Sequence, residues 1–246
     1  MVSFWKIVNS VIRDADILLL VLDARMPELT RNREIEQKVK NQGKRIIYVL
    51  NKCDLVSKKE IEKMNQDYTP SVFISSKEKL GGTLLFKKIM RLSQGEKCVV
   101  GVLGYPNVGK SSVINLLKGK GSASVSSQSG HTRGIQFVKA KGKLKLIDTP
   151  GVLPFKEKDI ERQVLIGSIN SEQIEEPDYF AVKLIDKYPN LFEKYFDEKY
   201  DGDGYDFLER VAIKKNILKK GGKADLQRFG RKILKDWQTG KVHMVK

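Results

Sequence analysis

The segment GYPNVGKS at residues 104–111 constrains the fold of this chain more than any other. It follows KCVVGVLG, an apolar run typical of a buried strand, and it leads into a helical pattern that begins at Lys110. Its spacing fits GxxxxGK[ST], in which glycines let backbone N–H groups turn towards a phosphate and the next helix adds its positive dipole. Lys110 would reach the β- and γ-phosphates, and Ser111 would ligate Mg²⁺. Strand, loop and helix together predict an α/β domain that holds a nucleotide.

The tetrapeptide NKCD at residues 51–54 indicates which base is held. It follows the strand-like run RIIYVL. The carboxylate of Asp54 can accept two hydrogen bonds from the N1–H and the 2-amino group of guanine. Adenine has no donor at either position, so the same carboxylate would be left desolvated and unpaired. Asn51 and Lys52 would frame the ring, and the predicted ligands are GTP and GDP.

Three weaker elements complete a nucleotide site. DTPG follows the strand-like KLKLI, so Asp148 can hold Mg²⁺ through water and the N–H of Gly151 can meet the γ-phosphate. SSK at residues 75–77 follows SVFI and can support the guanine carbonyl, although a serine-rich turn is the alternative. Thr132 can complete the Mg²⁺ shell as a switch threonine, or it is an ordinary loop residue. The predicted nucleotide-site residues are Asn51, Lys52, Asp54, Ser75, Ser76, Lys77, Gly104, Asn107, Val108, Gly109, Lys110, Ser111, Ser112, Thr132, Asp148 and Gly151.

Hydrophobic patterning divides the chain into two parts. Continuous apolar runs at residues 17–23, 45–50 and 71–75 alternate with helical patterns, which favours a parallel-rich sheet covered on both faces. After about residue 157 every periodic segment is helical. We therefore expect an α/β domain over residues 1–155 and an all-α domain over residues 156–246.

The order of the motifs is permuted, and it carries a resemblance. An ordinary GTPase runs phosphate loop, switch threonine, DxxG, NKxD and SAK, whereas here NKCD and SSK come first. The chain resembles the circularly permuted GTPases, most closely the ribosome biogenesis GTPase A group of the YlqF/YawG family. DAR-x-P at residues 23–27 matches a signature of that group, and LKKGGKADLQRFGRKILKDWQTGKV resembles its C-terminal helical region. The resemblance implies a P-loop GTPase sheet in permuted order with a C-terminal all-α domain.

Activity is implied by the same resemblance. Lys110, Thr132 and Gly151 would act in GTP hydrolysis. Val152 stands where Ras-like enzymes carry a water-orienting glutamine, and an apolar residue cannot polarise water, so intrinsic turnover should be slow until a partner or cation organises the site. Asn107 matches the asparagine that coordinates K⁺ in related cation-dependent GTPases, although it can equally fix the shape of the loop.

The net charge of +16 predicts a polyanionic partner. Leu226, Phe229, Ile233 and Trp237 fall within an arc of about 80° on a helix, with basic residues on the opposite side. More lysines lead into this helix through a flexible GG. Residues 172–209 are comparatively acidic, so the charge is segregated, which favours RNA over a merely solvated lysine face. The predicted RNA contacts are Lys214, Lys215, Lys219, Lys220, Lys223, Arg228, Arg231, Lys232 and Lys235.

Several classes of protein are excluded or disfavoured. Two cysteines and two histidines are too few for a structural zinc site, and both thiols are expected to be buried in a reducing compartment. The apolar run at residues 17–22 is far shorter than the roughly 20 residues of a membrane span. DEKYDGDGYDFLE at residues 197–209 resembles a calcium loop, but Lys199 and Leu208 occupy positions that need oxygen ligands. A cytoplasmic protein, monomeric when free, is expected.

The residues and the resemblance together predict an Mg²⁺- and GTP-dependent assembly factor. Its nucleotide state would set how the basic helical domain engages ribosomal RNA of the large ribosomal subunit or its precursor. One alternative is a GTPase acting on another RNA, such as tRNA. The other is an RNA-binding scaffold that GTP merely orders, without significant turnover.

Overall fold

The computed structural model describes residues 4–118, 136–140, 142–148 and 159–242. The chain divides into two units, Met1–Glu157 and Lys158–Lys246. The first unit contains a six-stranded sheet, whereas the regular elements described in the second unit are helices.

The sheet of the first unit has the strand order β3-β2-β1-β4-β6-β5. All neighbours are parallel except β5, which runs antiparallel to β6. Every residue of the central strand β1 is buried, because helices cover both faces of a parallel sheet. The sheet confirms the predicted fold class. The strands are β1 Ile17–Asp23, β2 Arg45–Asn51, β3 Ser71–Phe73, β4 Cys98–Leu103, β5 Gln136–Lys139 and β6 Leu144–Asp148.

The helices of the first unit begin and end at recognisable sequence signals. Asn32 caps one of them by accepting a hydrogen bond from the Ile35 N–H, and Ser57 with Glu60 forms a capping box on another. A 3₁₀ turn, Cys53–Leu55, follows β2. The α-helices are α1 Phe4–Asp14, α2 Pro27–Thr30, α3 Arg33–Asn41, α4 Lys58–Asp67, α5 Gly82–Leu92 and α6 Lys110–Leu117.

The second unit is built around aromatic side chains. Phe192, Phe207 and Phe229 are fully buried, and Trp237 stacks on Tyr188 with 5.4 Å between ring centroids. The indole N–H of Trp237 donates to the Leu165 carbonyl at 2.9 Å, which satisfies its polar atom. The elements are α7 Ile160–Leu165, a 3₁₀ turn Ser171–Gln173, α8 Pro177–Lys187, α9 Pro189–Phe196, α10 Gly204–Lys214 and α11 Leu226–Gln238.

The calcium-like segment connects two of these helices. Asp197 ends α9 in a left-handed conformation, and Asp203 caps α10 through its carboxylate. Arg210 forms an ion pair with Asp201 at 3.0 Å. In the part of the chain that the structure describes, no group of three His, Cys, Asp or Glu residues is placed to hold a metal ion. None of the described helices is long and apolar enough to cross a membrane.

Candidate nucleotide site

The predicted motifs meet at one edge of the sheet. NKCD begins at the last residue of β2, SSK follows β3 and the phosphate loop follows β4, and these three strands are parallel. The carboxyl ends of parallel strands lie at the same edge, where α/β proteins bind their ligands. Strand β1 lies between β2 and β4, so its last residue, Asp23, stands between the base motif and the phosphate loop.

The phosphate loop depends on two glycines. Gly104 and Gly109 have φ angles of 153° and 98°, which side-chain-bearing residues rarely adopt. A Cβ at Gly104 would lie 2.5 Å from the Val21 carbonyl oxygen, and one at Gly109 would lie 2.1 Å from Nδ2 of Asn51. Glycine is therefore required at both positions for steric reasons as well as for the backbone turn.

The lysine of the loop is held inward. Lys110 is 6% exposed, and its ammonium donates to the carbonyl oxygens of Gly104 at 2.9 Å and Tyr105 at 2.6 Å. This places a cation within the curve of the loop, at the N-terminus of α6. Ser111 and Ser112 are exposed on the first turn of that helix. A phosphate group in the loop would meet both the lysine and the helix N-terminus.

The side chain of Asn51 joins the base motif to two other loops. Its Nδ2 donates to the Val108 carbonyl at 2.8 Å, and its Oδ1 accepts from the N–H of Ser76 at 3.2 Å and from its hydroxyl at 2.9 Å. Asn51 is 2% exposed, so these bonds form away from water. Ser75 is also buried and accepts from the Glu78 N–H at 3.1 Å, which shapes the SSK turn, while Lys77 is exposed.

Asp54 offers an acceptor to a ligand. Its Oδ1 is buried, and the structure gives it no hydrogen-bond partner among the described residues. A buried carboxylate oxygen without a donor is costly and calls for an explanation. Asp54 lies in the 3₁₀ turn that follows β2, three residues after Asn51, whose side chain is hydrogen-bonded to the phosphate loop. The N1–H or 2-amino group of guanine is a donor of the kind that this oxygen lacks, so the site fits a guanine nucleotide.

An ionic cluster underlies the base motif. The Asp23 carboxylate is fully buried and accepts from the Arg25 guanidinium and from the Lys52 ammonium, both at 2.8 Å. Burial alone would raise the pKa of Asp23, but Arg25 and Lys52 outweigh burial and lower that pKa from 3.8 to about 2. Burial lowers the pKa of Lys52, and Asp23 opposes this effect.

The sequence by itself does not predict a structural role for Asp23, because DAR-x-P carries only the family resemblance. The signal that the sequence does contain is a charged residue, Asp23, that ends a wholly apolar run of six residues. Its partner Lys52 follows the neighbouring strand, so only the pairing of β1 with β2 brings them together.

The remaining predicted site residues are incompletely described. Asp148 is the last residue of β6, the strand that pairs with β4. Its side chain is not described. Thr132, Gly151 and Val152 also lie outside them, and their roles stay predictions. Asn107 is exposed in the phosphate loop with φ at 60°. Ser111 is exposed, and its hydroxyl oxygen is the kind of ligand that Mg²⁺ prefers.

Helix α11 of the second unit has the two faces that the sequence predicts. Phe229, Ile233 and Trp237 are buried, and Leu226 is half-buried. Of the predicted RNA contacts, Arg231 is half-buried and all others are exposed: Lys214, Lys215, Lys219, Lys220, Lys223, Arg228, Lys232 and Lys235.

Some of these cations already have partners. Lys214 pairs with Glu198 at 3.1 Å, and Lys232 pairs with the buried Asp236. The GG connection is not open chain, because the Lys219 N–H donates to the Lys223 carbonyl at 2.8 Å and closes a turn. Within the described part of the chain, no carboxylate pairs with the lysines of this turn, which are Lys219, Lys220 and Lys223.

Comparisons with known proteins also indicate a GTP-binding protein. A family model described as a 50S ribosome-binding GTPase matches residues 99–211, which begin in β4 and therefore exclude the preceding NKCD. An uncharacterized GTP-binding protein of Methanocaldococcus jannaschii is 41% identical and covers 98% of this chain. Nucleolar GTP-binding protein 2 of Neurospora crassa is 35% identical and covers 97%. This chain spans 66% of the length of the first relative and 40% of the second.

A solved structure is similar over both units. The GNP-bound crystal structure of YlqF from T. maritima matches 98% of this chain and 95% of its own, with a TM-score of 0.70 and 25% sequence identity. Its similarity therefore extends well beyond residues 99–211, which the family model matches.

The depressed pKa of Asp23 predicts a pH-dependent contribution to stability. Because the folded pKa lies below the ordinary value of 3.8, the ionised carboxylate stabilises the fold above about pH 4, and this is lost as the pH falls towards 2. The full contribution is about 2 kcal/mol, of which about half is lost by pH 3. In urea titrations, the stability difference between wild type and Asp23→Asn should shrink between pH 6 and pH 3. A stability difference that stays constant over this pH range would contradict the lowered pKa of Asp23.

Proposed function

Because the chain belongs to the circularly permuted GTPases that are similar to YlqF, we propose that it binds and hydrolyses GTP with Mg²⁺ and acts in assembly of the large ribosomal subunit. The observation that carries the proposal is the buried Oδ1 of Asp54, which has no hydrogen-bond partner among the described residues and lies three residues after an asparagine that is hydrogen-bonded to the phosphate loop. The nucleotide state would control binding of the basic helical unit to ribosomal RNA or to the precursor particle. The protein would act in the cytoplasm and be monomeric when free.

Guanine selection rests on hydrogen-bond complementarity. Asp54 would present an acceptor where guanine has donors, and a backbone N–H of the SSK segment would support the guanine carbonyl. Asn51 keeps these two loops in register with the phosphate loop through bonds of 2.8–3.2 Å. A base that left the Asp54 carboxylate unpaired would lose several kcal/mol in principle.

Phosphate binding uses groups that are already in place. The Lys110 ammonium donates hydrogen bonds to two carbonyl oxygens of the loop. It would exchange these for the oxygens of a phosphate bound in the same loop. Ser111 would ligate Mg²⁺ together with Asp148 and Thr132, and the ion would neutralise charge on the phosphates. Lys110 would stabilise charge on the leaving group, while the N–H of Gly151 would contact the γ-phosphate. With Val152 in place of a water-orienting glutamine, intrinsic turnover is slow and the particle would stimulate it.

The partner is supported by the charge and by the names of the similar proteins. The matched family is described as ribosome-binding, and a relative is described as nucleolar. Three lysines without described carboxylate partners lie together in the turn before α11, which suits the phosphates of structured RNA. A GTPase acting on tRNA and a GTP-ordered scaffold without turnover remain the alternatives.

The central test measures GTP turnover with and without purified large-subunit precursors. Particles should raise the rate, and particles should be recovered with the protein in the presence of a non-hydrolysable GTP analogue. Stimulation by tRNA in place of particles would favour the first alternative. Particle binding without turnover would favour the scaffold.

Changing Asp54 should change base preference rather than abolish binding. Asp54→Asn removes one acceptor and adds one donor, which suits xanthine because it carries a carbonyl in place of the 2-amino group. Affinity for GTP should fall roughly a hundredfold, since two charge-assisted hydrogen bonds are affected, and affinity for xanthosine triphosphate should rise. Fluorescent nucleotide titrations measure both.

The matched control is Asp67→Asn, which alters an exposed aspartate at the end of α4. It should leave both affinities unchanged. Unchanged GTP affinity in Asp54→Asn, or no gain for xanthosine triphosphate, would remove Asp54 from the base site.

Potassium is proposed to support hydrolysis through Asn107. Turnover should be faster in KCl than in NaCl at equal ionic strength, and Asn107→Ala should reduce that difference. Equal rates of wild type in the two salts would end the proposal and leave Asn107 a structural role in the loop.

The basic turn should govern particle binding. Replacing Lys219, Lys220 and Lys223 with glutamine should weaken binding to large-subunit particles, because contacts to phosphates are lost. The slope of log K against the logarithm of the salt concentration should become less steep by about 0.7–0.9 for each lost contact. Affinity for GTP should stay the same. Binding measured at several KCl concentrations gives the slope.

A control with the same loss of charge lies in the acidic segment. Lys187, Lys194 and Lys199 are exposed there, and replacing them with glutamine should have a much smaller effect on particle binding. Equal effects of the two triple variants would indicate that only net charge matters.

A further inference from the structure

Strand β1 brings an unassigned carboxylate to the centre of the candidate site. Asp23 pairs with Asn51 in the strand register, and the N–H of Ala24 donates to the Asn51 carbonyl at 2.8 Å. On the other side, the Val21 carbonyl lies against Gly104 of the phosphate loop. The end of β1 therefore contacts both halves of the site, although neither the base motif nor the phosphate loop includes it.

Arg25 fixes the orientation of the Asp23 carboxylate. Oδ1 accepts from the backbone N–H and from Nε of Arg25, both at 3.0 Å, while Oδ2 accepts from Nη2 at 2.8 Å. The Asp23 N–H donates to the Thr30 hydroxyl at 3.0 Å. Both charged side chains are almost completely buried. Because Arg25 donates three hydrogen bonds to the Asp23 carboxylate, the carboxylate cannot rotate away from its remaining partner.

That last partner is the lysine of the base motif. Nζ of Lys52 lies 2.8 Å from Oδ2 of Asp23, and the lysine side chain is 20% exposed. The Lys52 backbone is left-handed, with φ at 63°, immediately before the turn that carries Asp54. Without the negative charge of Asp23, the Lys52 ammonium would face the like charge of Arg25 in a largely buried place.

We propose that Asp23 is a positioning residue of the guanine site, which holds Lys52 beside the place where the base binds and thereby sets affinity for guanine nucleotides. The inference rests on the proposed function, since it assigns a role within the same site. Lys52 belongs to the base motif, so the effect on GTP and GDP should be equal.

A double-mutant cycle tests whether Asp23 acts through Lys52. The variants are Asp23→Asn, Lys52→Met and the double variant, and the measurement is affinity for GDP and for GTP. Each single substitution should weaken both nucleotides about tenfold, and the double variant should be no weaker than Lys52→Met. A cycle in which the two effects multiply would overturn the proposal, as would wild-type affinity in Asp23→Asn.

Stability distinguishes positioning from a merely structural role. Asp23→Asn takes the carboxylate away from Arg25, so it should destabilise the fold both in the wild-type background and in the background that already carries Lys52→Met. Affinity should depend on Asp23 only in the first of these backgrounds, where the lysine is present. If the loss of affinity instead follows the loss of stability in both backgrounds, the positioning role is wrong.

A second variant covers the case in which Asp23→Asn does not fold. Replacing the pair together, as Asp23→Asn with Arg25→Met, removes both buried charges of this ion pair at once. It should lose about as much GDP affinity as Lys52→Met, and adding Lys52→Met should cause no further loss. A further loss on adding Lys52→Met would contradict the proposal.

The control is Asp16→Asn, at the opposite end of the same strand. Asp16 is exposed and accepts from the Val99 N–H at 2.8 Å, and asparagine can keep that bond. Nucleotide affinity should equal that of wild type. Failure of wild type itself to bind GTP or GDP would refute the proposed function, whereas normal wild-type binding with a multiplicative cycle would refute only the role of Asp23.

Discussion

The side-chain amide of Asn51 is the contact on which the candidate site depends. One buried group donates to Val108 and accepts from Ser76, so it joins loops that follow three different strands. Asn51 and Val108 are 57 positions apart in the chain. The contact also explains the second glycine of the phosphate loop, because a Cβ at Gly109 would overlap the amide. The side chain of Asn51 thus links the candidate base motif directly to the phosphate loop.

This arrangement is independent of the order of the motifs along the chain. The loops meet because β2, β1 and β4 are neighbours in the sheet, whichever strand comes first. The connection from α5 to β4 is short, since the helix ends at Leu92 and the strand begins at Cys98. Because β4 begins there, this connection lies at the amino edge of the sheet, away from the site. The permuted order therefore needs no change in the geometry of nucleotide binding.

Local patterns make most of the fold predictable. The continuous apolar run before Asp23 and the glycine spacing from Gly104 to Gly109 each define an element within a few residues. The buried face of α11 also follows from periodicity alone, as Phe229 and Ile233 illustrate. The bonds of Asn51 cannot be predicted in the same way, because they depend on the pairing of strands that are distant in sequence. The ionic cluster has the same limit, since nothing local shows that the buried Asp23 carboxylate will meet the lysine of the base motif.

Pairing within the second unit changes where its available charge lies. Lys214 and Lys232 have carboxylate partners, so part of their charge is neutralised before any ligand is bound. The lysines of the closed turn at residues 219–223 have no carboxylate partner among the described residues, and a turn presents side chains at less entropic cost than an open chain. Lys214 belongs to α10, whereas on α11 Lys232 is paired with Asp236 and the exposed Arg228 has no carboxylate partner among the described residues. The lysines of the turn and Arg228 would therefore offer their full charge to an anionic partner, while the apolar face of α11 packs within its own unit.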